Sequence, residues 1–390
     1  MAHRDTDVVI LGGGMVGATL AWGLSRQHPD WTVDVVELVP PRDELQPSFD
    51  DRVIALSAGS VEALKELALW PELAKLAQPI HHIHVSERGG FGQAQLHRQD
   101  YRVDALGQVL AVRDMGALLH KRLGDSGVRW HCPDSLEAVE QGSDGHALTL
   151  KSGTRLHCRL LVVAEGGNSP GRARLGIGHQ VQDYHQTAII ANIQTSQPHD
   201  GWAYERFTPT GPLALLPMTE GRMNLVLCVR PEEQEQLLAL HSDQFARELQ
   251  RRFGWRLGAI EAVGLRHAYP LKLITADQIR GHRSVILGNA AHSLHPIAGQ
   301  GFNLGLRDLV DLLACLRDQD DPGHYQALAR WQARREPDLR RTIGTTDGLV
   351  SLFANDWAGL KLGRNLGLSA LHHLPALKEK LAWQMLGWRS

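Results

Sequence analysis

The sequence predicts an α/β protein: a Rossmann-like domain, discontinuous along the chain, joined to a mainly antiparallel-sheet domain and followed by C-terminal helices. Three observations lead to this reading. A strand, glycine turn, helix and second strand open the chain, from VVILGGGMVGATLA to WTVDVVEL, and such a unit begins a parallel sheet. Between about 181 and 270 the pattern changes to longer alternating or aromatic segments, which suit antiparallel strands. At 284–287 the short β-branched run SVIL returns to the first style, so the first domain is interrupted by the second.

Taken in order, VVILG (8–12) is a strand, about 16–28 a helix and 31–38 a strand. A polar, proline-containing segment (40–52) precedes a helix through VEALKELALW. Residues 80–110 read as short strands and turns, and DMGALLHKRL (114–123) as a helix. VRWHC, ALTLKSG and TRLHCRLLVVAEGG are strands, the last stopping at a glycine turn. TAIIANIQT, WAYERFT, PLALLPM and NLVLCV form the second sheet, with one helix over 231–253. After SVIL and a long turn, Phe302, Leu306, Leu309, Leu313 and Leu316 recur at helical spacing. Farther on, LFANDWAGLKLGRNLGLSALHHL and ALKEKLAWQMLGW carry leucine and tryptophan every three or four residues, as helices that pack on the body or rest on a membrane or partner. The expected division is a cofactor domain of 1–75, 98–180 and 271–330, a substrate domain of 76–97 and 181–270, and a helical region of 331–390.

Composition limits the function classes. The 390 residues are 43% hydrophobic and 22% charged, as in a globular protein. With 41 basic against 43 acidic residues and a formal net charge of −2, no overall attraction to nucleic acid is expected. The opening MAHRDTD is polar and lacks the apolar run of a signal peptide. No uninterrupted apolar stretch approaches the ~18 residues of a spanning helix, so the expected location is cytoplasmic. Cys132, Cys158, Cys228 and Cys315 are scattered without a CxxC pair, which suits reduced thiols. His82 and His84 would share a face of a strand, but no nearby Cys or carboxylate completes a ligand set, and no metal is expected.

The glycine turn carries the first chemistry. Gly12, Gly14 and Gly17 form G-x-G-x-x-G between strand and helix. Gly12 suits the tight turn, Gly14 lets backbone approach a pyrophosphate, and Gly17 allows close helix–strand packing. Glu37 ends the second strand twenty residues after Gly17, where a carboxylate can accept hydrogen bonds from ribose hydroxyls. The motif does not choose between NAD and FAD. Further glycine turns after later strands suggest a larger cofactor held from several places, which favours FAD.

Three more stretches, DDRVIALSAGS (50–60), LLVVAEGGNSPGR (160–172) and GNAAHSLHPIAGQGFNLGLRD (288–308), follow the glycine loop in that order. Together they resemble the single-component FAD-dependent aromatic hydroxylases over nearly the whole chain. YERFTPTGPLALLPM and LFANDWAGLKLGRNLGL point to the ubiquinone-biosynthesis branch. The resemblance implies that Arg52 contacts flavin and pyrophosphate; the plainer reading is a surface salt bridge beside Asp50 and Asp51. It places Glu165 and Gly166 at the family's Asp-Gly turn, one methylene longer, with Ser169 and Arg172 at the family's spacing. Asn289 stands where most members have an Asp on the ribityl chain; an amide can still donate and accept there. Pro296, Gly299, Gln300, Gly301 and Asn303 match the loop beside the isoalloxazine ring. Gly299 and Gly301 would let backbone amides of the helix start approach the negative charge of reduced flavin. His292 and His295 either carry a catalytic proton or only stabilise the turn.

By resemblance, NAD(P)H reduces the FAD, O2 adds as a C4a-hydroperoxide, and one oxygen passes to the ring of a polyprenylated methoxyphenol. The substrate would lie near Pro296 and residues 203–218, and no residue of the sequence declares itself as general base for the phenol. A polyprenyl tail is extremely apolar, which implies peripheral contact with the inner membrane or a ubiquinone-biosynthesis complex as partner. Alternatives are a sister ring hydroxylase of the same pathway, an FAD-dependent dehydrogenase or oxidase, and a non-catalytic flavin-binding scaffold.

Overall fold

A computed structural model of the chain describes residues 4–40, 52–353, 358–374 and 379. Asp50 and Asp51, most of the polar 40–52 segment and, apart from Glu379, the run ALKEKLAWQMLGW lie outside the described residues.

Val8, Val9, Ile10 and Leu11 are wholly buried or nearly so, because both faces of their sheet are covered. Their strand, Arg4–Leu11, pairs in parallel with Arg155–Val163 on one side and Val33–Val36 on the other. Ser284–Ile286 and Arg129–His131 extend the parallel sheet at its two sides, so SVIL does return to the first sheet. Leu11 and Val163 are in register, and Ala164 N donates to Leu11 O at 2.7 Å. The glycine turn and the Glu165–Gly166 turn therefore emerge side by side at the carboxyl ends of the strands, where open α/β sheets bind ligands.

The second sheet has nine strands. Its pairs are antiparallel except one: Trp202–Thr208 runs parallel to His82–Glu87, so the HHIHV segment is recruited from far upstream. At the opposite edge His267–Ala276 pairs with the two-residue strand His292–Ser293, which joins this sheet to the loop at 288–299. The single helix expected over 231–253 is two, Pro231–Ala239 and Ser242–Phe253. Leu240 between them is extended (φ −61°, ψ 140°), and His241 starts the second helix with a capping box closed by Gln244.

The helix Gln300–Leu316 buries Leu306, Leu309 and Leu316, the apolar positions that its spacing predicts. The long helix Tyr325–Phe353 packs against it, and Ala358–His373 follows. Buried Asp308 fixes this arrangement. Its carboxylate takes a hydrogen bond from His292 Nε2 at 2.6 Å and from Arg335 Nε at 2.8 Å. Arg335 Nη1 also reaches Asp311 at 3.1 Å and Asp338 at 2.7 Å, while Trp331 Nε1 donates to Asp308 O at 2.9 Å. Burial alone would push the Asp308 carboxyl up, but His292 and Arg335 hold it below the usual carboxylate range.

Replacing Arg335 by Met should cost about 3 kcal/mol at neutral pH, because it leaves Asp308 and Asp311 buried without their partner. A depressed carboxyl pKa supplies stability above the ordinary carboxylate range that is lost as pH falls through the folded value. In urea unfolding series the difference between wild type and Arg335→Met should therefore shrink as pH drops below about 4.

Candidate active site

The three motif glycines divide into two kinds. Gly12 has φ +101°, and a Cβ there would stand 2.5 Å from Ala164 O; at Gly17 a Cβ would overlap Gly12 O. Both are required by the protein's own packing. At Gly14 a Cβ would meet nothing within 4 Å, and Gly14 lines a cleft of about 2100 Å³. It is also the N-cap of the helix Met15–Gln27, with no side chain capping the free N–H groups. An anion can sit there.

Glu37 borders the same cleft. Its Oε2 accepts from Gly13 N at 2.6 Å and its Oε1 from Val39 N at 2.9 Å, so it shapes the glycine turn while each oxygen keeps a further lone pair. Arg52 lines the cleft with its guanidinium 5.3 Å from the ring centre of Tyr269. Glu165 and Gly166 line it too. The Glu165 carboxylate is spent on the chain itself, accepting from Gly171 N at 2.7 Å and Ser169 Oγ at 2.9 Å, and burial raises its pKa. Arg172, also buried, donates to Ala290 O at 2.6 Å and Gly167 O at 3.3 Å, which ties the two loops together.

The loop at 288–301 forms the next wall. Asn289, Pro296, Gly299, Gln300 and Gly301 all line the cleft. Asn289 is exposed to it, and its amide makes no hydrogen bond among the described residues. Gly299, at φ +59°, is the N-cap of Gln300–Leu316, again without a side-chain cap. A Cβ on Gly301 would meet nothing within 4 Å.

Two expected site residues sit elsewhere. Asn303 is buried and uses its whole amide internally: Oδ1 accepts from Ser57 N and Ser60 Oγ, and Nδ2 donates to Ala55 O and Gly299 O. It is a strut between the loop and the strand Val53–Ser57, because a carboxamide with four partners has none left for a ligand. His292 is buried against Asp308 and is not among the cleft-lining residues. His295 pairs with Gln186 at 2.9 Å and accepts from Ile297 N at 3.2 Å; burial lowers its pKa to about 4. Both histidines brace the turn. Among the described residues no cluster of three or more His, Cys, Asp or Glu could hold a metal, and His82 pairs instead with His97 at 2.9 Å.

Beyond the loop the cleft runs along the second sheet. Ala188, Ile190, Ala203, Phe207, Ala214, Leu216 and Val226 line this part, so residues 203–218 and Pro296 do border one space. One acid stands among them, Glu205, which the sequence reading passed over. The C-terminal helices line the cleft with Leu349, Leu352, Phe353 and Leu368 together with the charged Arg334, Asp338, Arg341 and Arg364.

Gly14→Val should leave the fold intact, since its side chain points into open space, and lower the flavin content of purified protein more than about tenfold. Visible absorbance per protein, compared with circular dichroism, checks both halves; unchanged flavin content would return Gly14 to a purely structural turn.

Comparison with known proteins agrees with this geometry. The chain matches the FAD binding domain family over residues 5–342. It is 36% identical to the ubiquinone hydroxylase UbiL of Rhodospirillum rubrum, covering 99% of this chain and 90% of that one. It is 32% identical to the 3-demethoxyubiquinol 3-hydroxylase of Escherichia coli, covering 99% and 100%. The crystal structure of the p-nitrophenol 4-monooxygenase PnpA from Pseudomonas putida shares the fold at a TM-score of 0.81 and 17% identity, covering 99% and 100%. Klebsiella pneumoniae HpxO complexed with FAD and uric acid shares it at 0.78 and 18%, covering 99% and 96%. The chain therefore belongs to the FAD binding domain family and, within it, to the FAD-dependent aromatic monooxygenases that include these ubiquinone hydroxylases.

Proposed function

We propose that the protein hydroxylates the aromatic ring of a polyprenylated methoxyphenol in ubiquinone biosynthesis, using NAD(P)H and O2. The observation that carries this reading is the continuity of one cleft from the two uncapped helix starts, along the apolar sheet floor, to the C-terminal helices. At about 2100 Å³ it exceeds the ~300–1,000 Å³ of an ordinary ligand pocket, which suits a dinucleotide together with a long substrate.

In this reading Gly12, Gly14 and Gly17 shape the pyrophosphate site, and Glu37 takes the ribose. Arg52 and the Glu165–Gly166 turn flank the cofactor, and Asn289 serves the ribityl chain. Pro296, Gly299, Gln300 and Gly301 then border the ring. FAD, when bound, supplies hydride acceptance and oxygen activation. The chain's own part is to hold it, keep bulk water from the reacting atoms and place the phenol. The lining of the sheet favours an apolar aromatic ring, and each buried methylene of a tail adds ~0.8 kcal/mol.

A tail of this kind must come from a membrane or from a partner in the pathway. Among the described residues no helix is long and apolar enough to cross a membrane. Leu352 borders the cleft, and Leu362, Leu366 and Leu374 are also exposed on the C-terminal part of the chain. This supports peripheral contact with the inner membrane near the C-terminal helices that line the cleft.

Purified holoprotein given NAD(P)H should bleach its flavin, and adding prenylated methoxyphenols with O2 should yield one new hydroxyl located by NMR. Hydroxylation at a different ring carbon would assign it to a sister step of the same pathway. Bleaching without any hydroxylated product from these phenols would overturn the proposal.

A further inference from the structure

We infer that Glu205 is the general base that takes the proton of the substrate's phenolic hydroxyl; this rests on the phenol hydroxylase reading above. Glu205 lies on the strand Trp202–Thr208, paired with Val85 on one neighbouring strand and Ala214 on the other. Ala214 is in turn paired with Val226, and Val226 with Ile190. Glu205 thus belongs to a row of apolar side chains across the floor of the cleft.

A carboxylate in such a row has nothing to do for the fold. Among the described residues it has no hydrogen bond and no ion pair, whereas four other acids of the cleft wall are bonded. Glu37 and Glu165 serve backbone amides, and Asp311 and Asp338 serve Arg335. Leaving a carboxylate unpaired off bulk water is costly, and active sites are where such costs are tolerated.

Burial pushes the Glu205 carboxyl up to about 7. It keeps some area accessible from within the cleft, but protein surrounds it and withholds bulk solvent. A base with that pKa is matched to work near neutral pH. Arg52 and Tyr269 at the cofactor end and Asp338, Arg341 and Arg364 from the helices line the same cleft, while Cys228 is buried outside its lining. None is bonded to Glu205, and burial pushes the Cys228 thiol well above its ordinary value, so the thiol is no rival.

The step balances without a further reagent. The phenolic O–H bond breaks, its proton passes to a Glu205 oxygen, and the electron pair stays on the phenol oxygen and enriches the ring. Once the new C–O bond has formed, the ring carbon loses its proton to the second oxygen atom of O2, which leaves as water, and aromaticity returns. The proton on Glu205 goes back to the product's oxygen. O2 and NAD(P)H are the oxidant and reductant of the proposed function.

The test uses holoprotein and, as probe, a guaiacol bearing one prenyl unit. A second probe is its polyfluorinated analogue, whose phenol ionises unaided at neutral pH. In wild type, hydroxylation of the bound first probe should rise with pH through about 7. Glu205→Gln should lose that rise and slow by about 10²-fold or more, while flavin content and probe binding, read from the flavin spectrum, stay near wild type. The fluorinated probe should be hydroxylated almost equally by both proteins.

Glu205→Asp should recover part of the rate and the pH dependence. The raised carboxyl pKa also costs wild type stability as pH climbs from the carboxylate range through about 7. Glu205→Gln should therefore melt no lower than wild type at pH ~8.

A glutamine variant with wild-type rate and pH profile would overturn the assignment. So would equal loss with both probes, lost probe binding, or a variant that fails to fold. If wild type itself neither binds nor hydroxylates either probe, it is the phenol hydroxylase reading that fails.

Discussion

Asp308 accepts hydrogen bonds from His292 at 2.6 Å, Arg335 at 2.8 Å and Gly288 N at 3.3 Å, all out of solvent. Those partners come from three places: the start of the 288–301 loop, its short strand, and the long helix Tyr325–Phe353. A buried carboxylate cannot give up any of them cheaply. The loop therefore has one position relative to the helix behind it, and Asn289, Pro296 and Gly299 inherit that position. Asn303 performs the same task from the other side by fastening the loop to Val53–Ser57. Backbone amides can then face the cleft without a capping side chain, because the loop is held from behind.

This division between support and lining explains the chemistry the fold can host. Two helix starts, Met15–Gln27 and Gln300–Leu316, lack side-chain caps. Both N-cap glycines border the cleft, so orphan N–H groups and positive helix ends are presented at one side of it. The other side is a sheet floor of alanine, valine, isoleucine and phenylalanine. A charged cofactor and an apolar aromatic substrate can meet there without either entering the wrong environment. Glu205 is the one acid on that floor, and its lack of a partner is what separates it from the structural acids nearby.

Much of this was legible locally. Gly12, Gly14, Gly17 and Glu37 lie within one βαβ unit, where spacing alone fixes geometry, and the 284–316 strand–loop–helix follows from periodicity. Arg172 and Ser169 were singled out only through resemblance, and their bonds explain the spacing: Ser169 caps the turn and Arg172 crosses to Ala290. What was not legible depends on partners far along the chain. Asn303 could not be told from a ligand-facing amide until Ser57 and Ala55 were seen beside it. The same holds for His292, whose partner Asp308 is a turn of sequence that reads as ordinary helix. In WAYERFT the alternation puts Ala203, Glu205 and Phe207 on one face, but the sequence does not say that this face borders the cleft. The break at Leu240 was likewise hidden, since two short helices share one polar pattern.

The proposed function requires that oxygen from O2 enter a phenolic ring, which mere oxidation of a substrate would not do. The direct measurement is turnover of holoprotein with NAD(P)H and a prenylated methoxyphenol under isotope-labelled O2, with mass spectrometry of the product. One labelled oxygen atom is expected in the new hydroxyl. Product that carries oxygen from water, or NAD(P)H consumed with all the label recovered as hydrogen peroxide for every such phenol, would contradict it.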